Sequence, residues 1–264
     1  ISTYSLHTRY TATSFEQYLS GIAACAPVYY NNTDTEVQHV IGTSTAHLKA
    51  EPYNMPAFHY EDGIAVLDTE FGAIPVSVFG RHNLLNMQAA IAVCIELGVS
   101  KKACYEAIAD FSGAARRLEK LFKNDKLVAY RDFAHAPSKL KATLDAVREG
   151  YPTHKLIACF ELHTYSSLNA QFLSEYAHSI DSADDAVVYF SHHALQLKGL
   201  PSLETATVKK YFEREDLVVI DEKQALQQHI TSLLNQSSQP TCLLLMSSGT
   251  FDGIDWNSVC SQQN

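Results

Sequence analysis

The sequence predicts an α/β chain of two domains, the second built on a mostly parallel sheet. Three observations carry that expectation. The length of 264 residues suits two domains of ~100–200 residues each. Past Leu127, short apolar runs alternate with helical patterns, the signature of a parallel sheet with helices on both faces. The composition, 46% apolar against 19% charged, is that of a folded globular chain and excludes a disordered tail.

Taken in order, residues 1–4 lack the basic start and apolar block of a signal peptide. There is no initiator Met, so a fragment or processed chain is expected. Residues 14–24 read as a short helix, with Phe15, Tyr18, Leu19 and Ile22 at helical spacing. Pro27 breaks that pattern, and Val28-Tyr29-Tyr30 reads as a strand closed by Asn31-Asn32. Residues 63–69 and 74–79 are β-rich around the turn Glu70-Phe71-Gly72, a hairpin at the edge of a larger sheet. Leu84, Met87, Ile91, Cys94 and Ile95 form the apolar face of a helix that Gly98 should end. A second helix, capped by Ser100, runs to about Asp110. A boundary near 111–113 divides domains 1–112 and 113–264. In the second, strands are expected at 127–130, 156–160, 186–190, 217–220 and 242–246, and helices at 138–148, 170–180 and 223–234. Ligands of such sheets lie beyond the carboxyl ends of the strands.

The charge balance is 20 − 29 = −9, which argues against non-specific nucleic-acid binding through phosphate neutralisation. No run of ~18 apolar residues offers a membrane span. Cys25, Cys94, Cys104, Cys159, Cys242 and Cys260 form no C-x-x-C pair, so reduced thiols, mostly buried, in a cytoplasmic protein are expected.

Four segments could carry chemistry. His82-Asn83-Leu84-Leu85-Asn86 opens a helix, and its two amides share one side of the first turn. They match the donor–acceptor edge of adenine, although capping alone would explain Asn83. Gly113-Ala114-Ala115-Arg116-Arg117-Leu118-Glu119 offers guanidinium forks to phosphate oxygens, or plain surface charge. Asp132-Phe133-Ala134-His135-Ala136-Pro137 joins a strand to a helix whose N-terminus favours an anion. There Asp132 could accept from ribose hydroxyls and His135 could donate to phosphate, or both could be structural. The loops His163-Thr164-Tyr165-Ser166-Ser167-Leu168-Asn169 and Ser247-Ser248-Gly249 follow two strands of the same sheet and could hold a small polar ligand or be solvated. His192-His193 lacks further partners at metal-ligand spacing and reads as surface. No G-x-G-x-x-G occurs, which disfavours a dinucleotide-dependent dehydrogenase.

In order and spacing, H-N-x-x-N, G-x-x-R-R-x-E and D-[FY]-A-H-x-P resemble the Mur ligase family. The resemblance covers residues ~75–264 well and ~14–75 loosely. It implies the rear of a central ATPase domain followed by a Rossmann-like C-terminal domain. It further implies ATP and Mg2+, with Asn83 and Asn86 at adenine, Arg117 and Asp132 at ribose and phosphates, and catalytic His135 near the terminal phosphates. No G-x-x-x-x-G-K-[ST] loop is present. The resemblance therefore implies that the phosphate loop and most magnesium ligands lie upstream, and that this chain alone is inactive. Glu161 to Asn169 and Met246 to Gly249 look most like the murein peptide ligase branch. That branch joins L-Ala-γ-D-Glu-meso-diaminopimelate to UDP-N-acetylmuramate in peptidoglycan recycling, through an acyl phosphate. His163, Thr164, Tyr165, Ser166 and Ser248 would then bind the acceptor. The sibling that adds L-alanine usually carries arginines in this loop, and a non-catalytic nucleotide-binding module is a further alternative.

Overall fold

The computed structural model describes residues 8–23 and 26–262, which belong to two compact units, Ile1–Ser112 and Gly113–Asn264. In the first unit α1 (Thr8–Ser20) begins earlier than the apolar pattern predicts and stops before Gly21. Leu19 is buried but Tyr18 is exposed. The end of the predicted helix at Ala24, and Cys25, lie outside the described residues. β1 (Pro27–Asn31) and β2 (Lys49–Tyr53) pair in parallel, with α2 (Thr35–Thr43) between them. Asp34 caps α2, its carboxylate accepting the N–H groups of Glu36 and Val37 at 3.1 Å each. The sequence reading missed α2 and β2, because both are short and only Val37 and Val40 of α2 are buried.

β3 (Phe58–Glu61), β4 (Ile64–Thr69) and β5 (Gly72–Val76) form an antiparallel sheet in that order. The expected hairpin is the β4–β5 pair, ending sooner than predicted. The sheet beside it is small, with β3 as the other partner of β4. α3 (Arg81–Glu96) and α4 (Lys101–Asp110) pack on it, Leu84, Met87, Ile91, Cys104 and Tyr105 meeting Ala65, Leu67 and Val76. Gly98 follows α3 at φ +90°, the left-handed conformation glycine adopts without a Cβ penalty. The Ser100 hydroxyl accepts the Ala103 N–H at 3.2 Å.

The second unit runs β6 (Glu119–Lys123), β7 (Leu127–Asp132), α5 (Pro137–Gly150), β8 (Lys155–Leu162), β9 (Asp185–Phe190), α6 (His192–Leu197), α7 (Thr205–Phe212), β10 (Val218–Ile220), α8 (Lys223–Gln236), β11 (Thr241–Met246) and α9 (Trp256–Ser261). Its sheet order is β10-β9-β8-β11-β7-β6. All neighbours are parallel except β6, which joins β7 antiparallel. The parallel strands read as continuous apolar runs because both faces are covered. On one face Leu127, Ile157, Val187 and Leu243 lie under Leu226, Ile230 and Leu234 of α8 and Trp256 of α9. On the other, Tyr176 stacks on Phe212 and touches Phe160.

The predicted helix at 170–180 is not formed. The segment is a chain of turns holding one 3-10 turn at Leu173–Tyr176, and His178 at φ +59° reverses the backbone. Leu173, Tyr176 and Ile180 are buried as a helical face would bury them. Packing of the Tyr176 ring, together with its hydroxyl donating to the His135 carbonyl at 2.6 Å, fixes the path instead. Cys104, Cys159, Cys242 and Cys260 are buried free thiols and Cys94 is half-buried. Among the described residues no helix is long and apolar enough to cross a membrane.

Candidate functional site

The parallel order β9-β8-β11-β7 brings four strand ends to one edge of the second unit, with Met246 paired to Asp132 and Phe160, and Leu162 to Phe190. The chain steps from β7 over β11 to β8, the crossing beside which loops diverge and ligands settle in such sheets.

At the end of β7, Asp132 is 3% exposed. Its Oδ1 accepts the Ala134 N–H at 2.7 Å and its Oδ2 the Leu118 N–H at 2.8 Å, with the Thr143 hydroxyl 3.4 Å from Oδ1. The carboxylate thus ties the strand end to the segment before β6. That segment is sharply folded, with Arg116 and Leu118 at φ +56° and +47°. The Arg116 carbonyl accepts the Phe133 N–H at 2.8 Å. Glu119 accepts the Arg116 N–H at 2.9 Å and two N–H contacts from Arg131 at 2.9 and 3.1 Å. The Arg116 N–H foremost, and then Arg131, hold its carboxyl below the usual range. Arg117 lies with its guanidinium 5.4 Å from the centre of the Phe133 ring. His135 sets Nδ1 2.9 Å from the Phe133 carbonyl, so that nitrogen carries the proton and Nε2 is the one left for another partner.

At the ends of β8 and β11, Glu161 is 1% exposed. Its Oε2 accepts the Ser247 hydroxyl and the Phe251 N–H, the latter at 2.8 Å. Burial pushes its carboxyl upward against these two bonds. Ser247 Oγ accepts the Gly249 N–H at 2.6 Å. Gly249 lies so close that a Cβ would meet the His163 ring at 2.6 Å and Glu161 at 2.8 Å. The His163 Nδ1 is 3.5 Å from Ser248 Oγ, the outer limit of a hydrogen bond.

In the loop after β8, the Ser167 hydroxyl accepts the Thr164 N–H at 2.9 Å and the Thr164 hydroxyl the Ser167 N–H at 3.1 Å. Thr164 and Ser166 hydroxyls are 3.1 Å apart. The Thr164, Ser166 and Ser167 hydroxyls, expected to face a ligand, bond to one another and to the backbone of their own loop. Tyr165 is 63% exposed, with Lys198 Nζ 5.2 Å from its ring centre.

In the first unit, Asn83 and Asn86 lie in the first turns of α3. Asn83 is not the cap: Gly80 is, and the Asn83 amide donates to the Phe79 carbonyl at 2.9 Å. Asn86 is exposed. His192 begins α6 and meets Asp221 at 3.0 Å. Among the described residues no group of three His, Cys, Asp or Glu is arranged to hold a metal.

The role of Glu161, and the Tyr189 hydroxyl donating to Asp252 at 2.8 Å, were not recognised in the sequence. A glutamate inside an otherwise apolar strand was the available signal, since a buried carboxylate needs partners.

The description "Mur ligase, glutamate ligase domain" matches residues 116–249, just over half of the chain. The chain belongs to the Mur ligase family. Among its relatives, the UDP-N-acetylmuramate–L-alanine ligase of Sulfurihydrogenibium sp. is 42% identical over 119 residues, 45% of this chain and 26% of the relative. That of Streptococcus agalactiae is 30% identical over 215 residues, 80% of this chain and 45% of the relative. The chain thus spans less than half the length of these relatives. Its fold is similar to that of a murein peptide ligase from Psychrobacter arcticus, at a TM-score of 0.64 and 17% identity over all of this chain and 56% of that one. It is also similar to Mycobacterium tuberculosis folylpolyglutamate synthase complexed with ADP, at 0.68 and 13% over all of this chain and 61% of that one.

Proposed function

We propose that the whole protein is an ATP-dependent ligase that joins a murein tripeptide, L-Ala-γ-D-Glu-meso-diaminopimelate, to UDP-N-acetylmuramate. Residues 1–112 would be the rear of its ATP-binding domain and 113–264 its C-terminal domain. The observation that carries the reading is the cationic corner at the end of β7. Arg117 lies on the Phe133 ring and His135 keeps Nε2 for a partner, both held by the backbone that Asp132 ties down. A guanidinium at the carboxyl edge of a parallel sheet suits phosphate oxygens, and His135 Nε2 would donate to them on taking up a second proton, its Nδ1–H being given to Phe133. Asp132, buried with both oxygens engaged, would position this corner rather than touch ribose. Asn83 and Asn86 would take adenine, Asn83 through its carbonyl and its second N–H, the first being given to the Phe79 carbonyl. No magnesium ligand is assigned to this chain.

The reaction would phosphorylate the muramoyl carboxylate from ATP. The acceptor amine would then attack that carbonyl and phosphate would leave, with the protein contributing position and charge neutralisation. The arginine-free loop from Glu161 to Asn169 supports the tripeptide as acceptor. The second reading, L-alanine as acceptor, is favoured by the named activity of the relatives that are 30–42% identical. Steady-state assays of the whole protein with both acceptors separate them: kcat/KM is expected to be higher for the tripeptide, and a higher value for L-alanine would reject that choice. Asn86→Ala is expected to raise KM for ATP by a factor corresponding to ~1–3 kcal/mol, by analogy with amide–adenine readout. An unchanged KM would make Asn86 an ordinary helix residue.

A further inference from the structure

We infer that Lys198, carried on the Tyr165 ring, is a specificity-determining residue that takes the distal carboxylate of the peptide acceptor. The inference rests on the ligase reading above and deepens it.

Lys198 is the C-cap of α6, and its backbone is fixed: its N–H points to the carbonyls of Ala194 and Leu195, and Gly199 follows at φ +62°. A cation at a helix C-terminus is ordinary. Its seat is less so, because the side chain reaches across to the loop of the neighbouring strand and places Nζ 5.2 Å from the centre of an exposed tyrosine ring. Such a contact holds an ammonium in place without neutralising it. Among the described residues no carboxylate partners it. The side chain is half-buried, so a fixed positive charge stands at the sheet edge.

Distance along that edge selects the ligand. The order β9-β8-β11-β7 separates the β8 and β9 loops from the β7 corner by two to three strand spacings, ~10–14 Å. A ligand that reacts beside Arg117 and His135 must extend that far to reach Lys198. Alanine cannot. Three residues at up to ~3.5 Å each reach ~10 Å, and the γ-linkage of the middle residue lengthens the backbone further. The group at the far end of the tripeptide is the side-chain carboxylate of diaminopimelate, an anion suited to an unpaired ammonium.

The test uses the whole protein with two acceptors, the diaminopimelate tripeptide and L-Ala-γ-D-Glu-L-Lys, which lacks only that distal carboxylate. The wild type is expected to show a roughly 5- to 10-fold lower KM for the first. Lys198→Met should abolish that preference by raising the diaminopimelate KM alone, with kcat and the KM for ATP changed less than about twofold. Lys198→Arg should restore it. A Lys198→Met enzyme that keeps the wild-type preference while still ligating the tripeptide overturns the inference and leaves the ligase reading standing. A whole protein that ligates neither peptide overturns both. A melting temperature shared by Lys198→Met and the wild type excludes a loss through unfolding.

Discussion

Two buried carboxylates stand at the same sheet edge, on β7 and β8 with β11 between them, and they are used differently. Asp132 divides its donors, one backbone N–H to each oxygen. Glu161 gathers the Ser247 hydroxyl and the Phe251 N–H on the single atom Oε2. The short aspartate side chain, at the last residue of β7, reaches its own next turn and the segment before β6. Glutamate, one methylene longer, crosses instead to the loop after β11. The consequence is chemical. A group that accepts with both oxygens must be a carboxylate, whereas a group that accepts with one can be an amide or a protonated acid. Burial pushes Glu161 upward, in keeping with the second arrangement, since a proton on the other oxygen leaves both bonds intact.

Replacement of Asp132 by Asn offers the sharpest contrast. The amide turns its own N–H groups toward a buried N–H donor, so a loss of about 3 kcal/mol is expected, measurable by denaturant unfolding of the second unit. A loss under 1 kcal/mol would mean that one oxygen suffices there too. Gly249→Ala comes next, at about 1–3 kcal/mol, because its Cβ has no room beside the His163 ring and Glu161. An unchanged midpoint would show that the His163 ring gives way freely.

Glu161→Gln should cost less than about 1 kcal/mol, since one amide oxygen can take both donors. It should also change the pH dependence. Between the ordinary glutamate range and the raised value in the fold, the unfolded chain has lost the proton that the folded chain keeps. Stability therefore falls as pH rises through that window and levels above it. Melting curves across pH should show this slope in the wild type and its removal in Glu161→Gln; an identical slope in both would assign it to other groups. The smallest effect is expected from Ser166→Ala, within about 0.5 kcal/mol, because its hydroxyl is exposed and pairs with Thr164. A larger cost would make the loop hydroxyl cluster a structural unit in its own right.

These contrasts mark how far the sequence could be read. The alternation beyond Leu127 located β7, β8, β9, β10 and β11, because strands buried on both faces are apolar without interruption. α3, α4 and their end signals at Gly98 and Ser100 were legible because caps are local chemistry. β6 was not, since an edge strand with the composition Glu-Lys-Leu-Phe-Lys carries no buried run. The stretch 170–180 misled because burial at Leu173, Tyr176 and Ile180 has helical spacing, while the backbone follows the demands of the Tyr176 ring and hydroxyl.

At the site, the residue types and their order along the chain identified the segments around Asp132, His135 and His163, and family membership follows from that order. Which atoms those residues have to spare was a matter of the tertiary structure alone. Thr164, Ser166 and Ser167 look like ligand-facing hydroxyls in a linear sequence, yet they bond to each other and to their own loop backbone. Asp132 looks like an acceptor for ribose, yet two buried N–H groups already claim it. Lys198 is unremarkable among surface lysines until the order of the strands puts it on Tyr165. Local signals determine elements because caps, glycines and apolar periods act over a few residues. Partners of polar atoms depend on which strand ends become neighbours, and here that was decided by β11 inserting between β7 and β8.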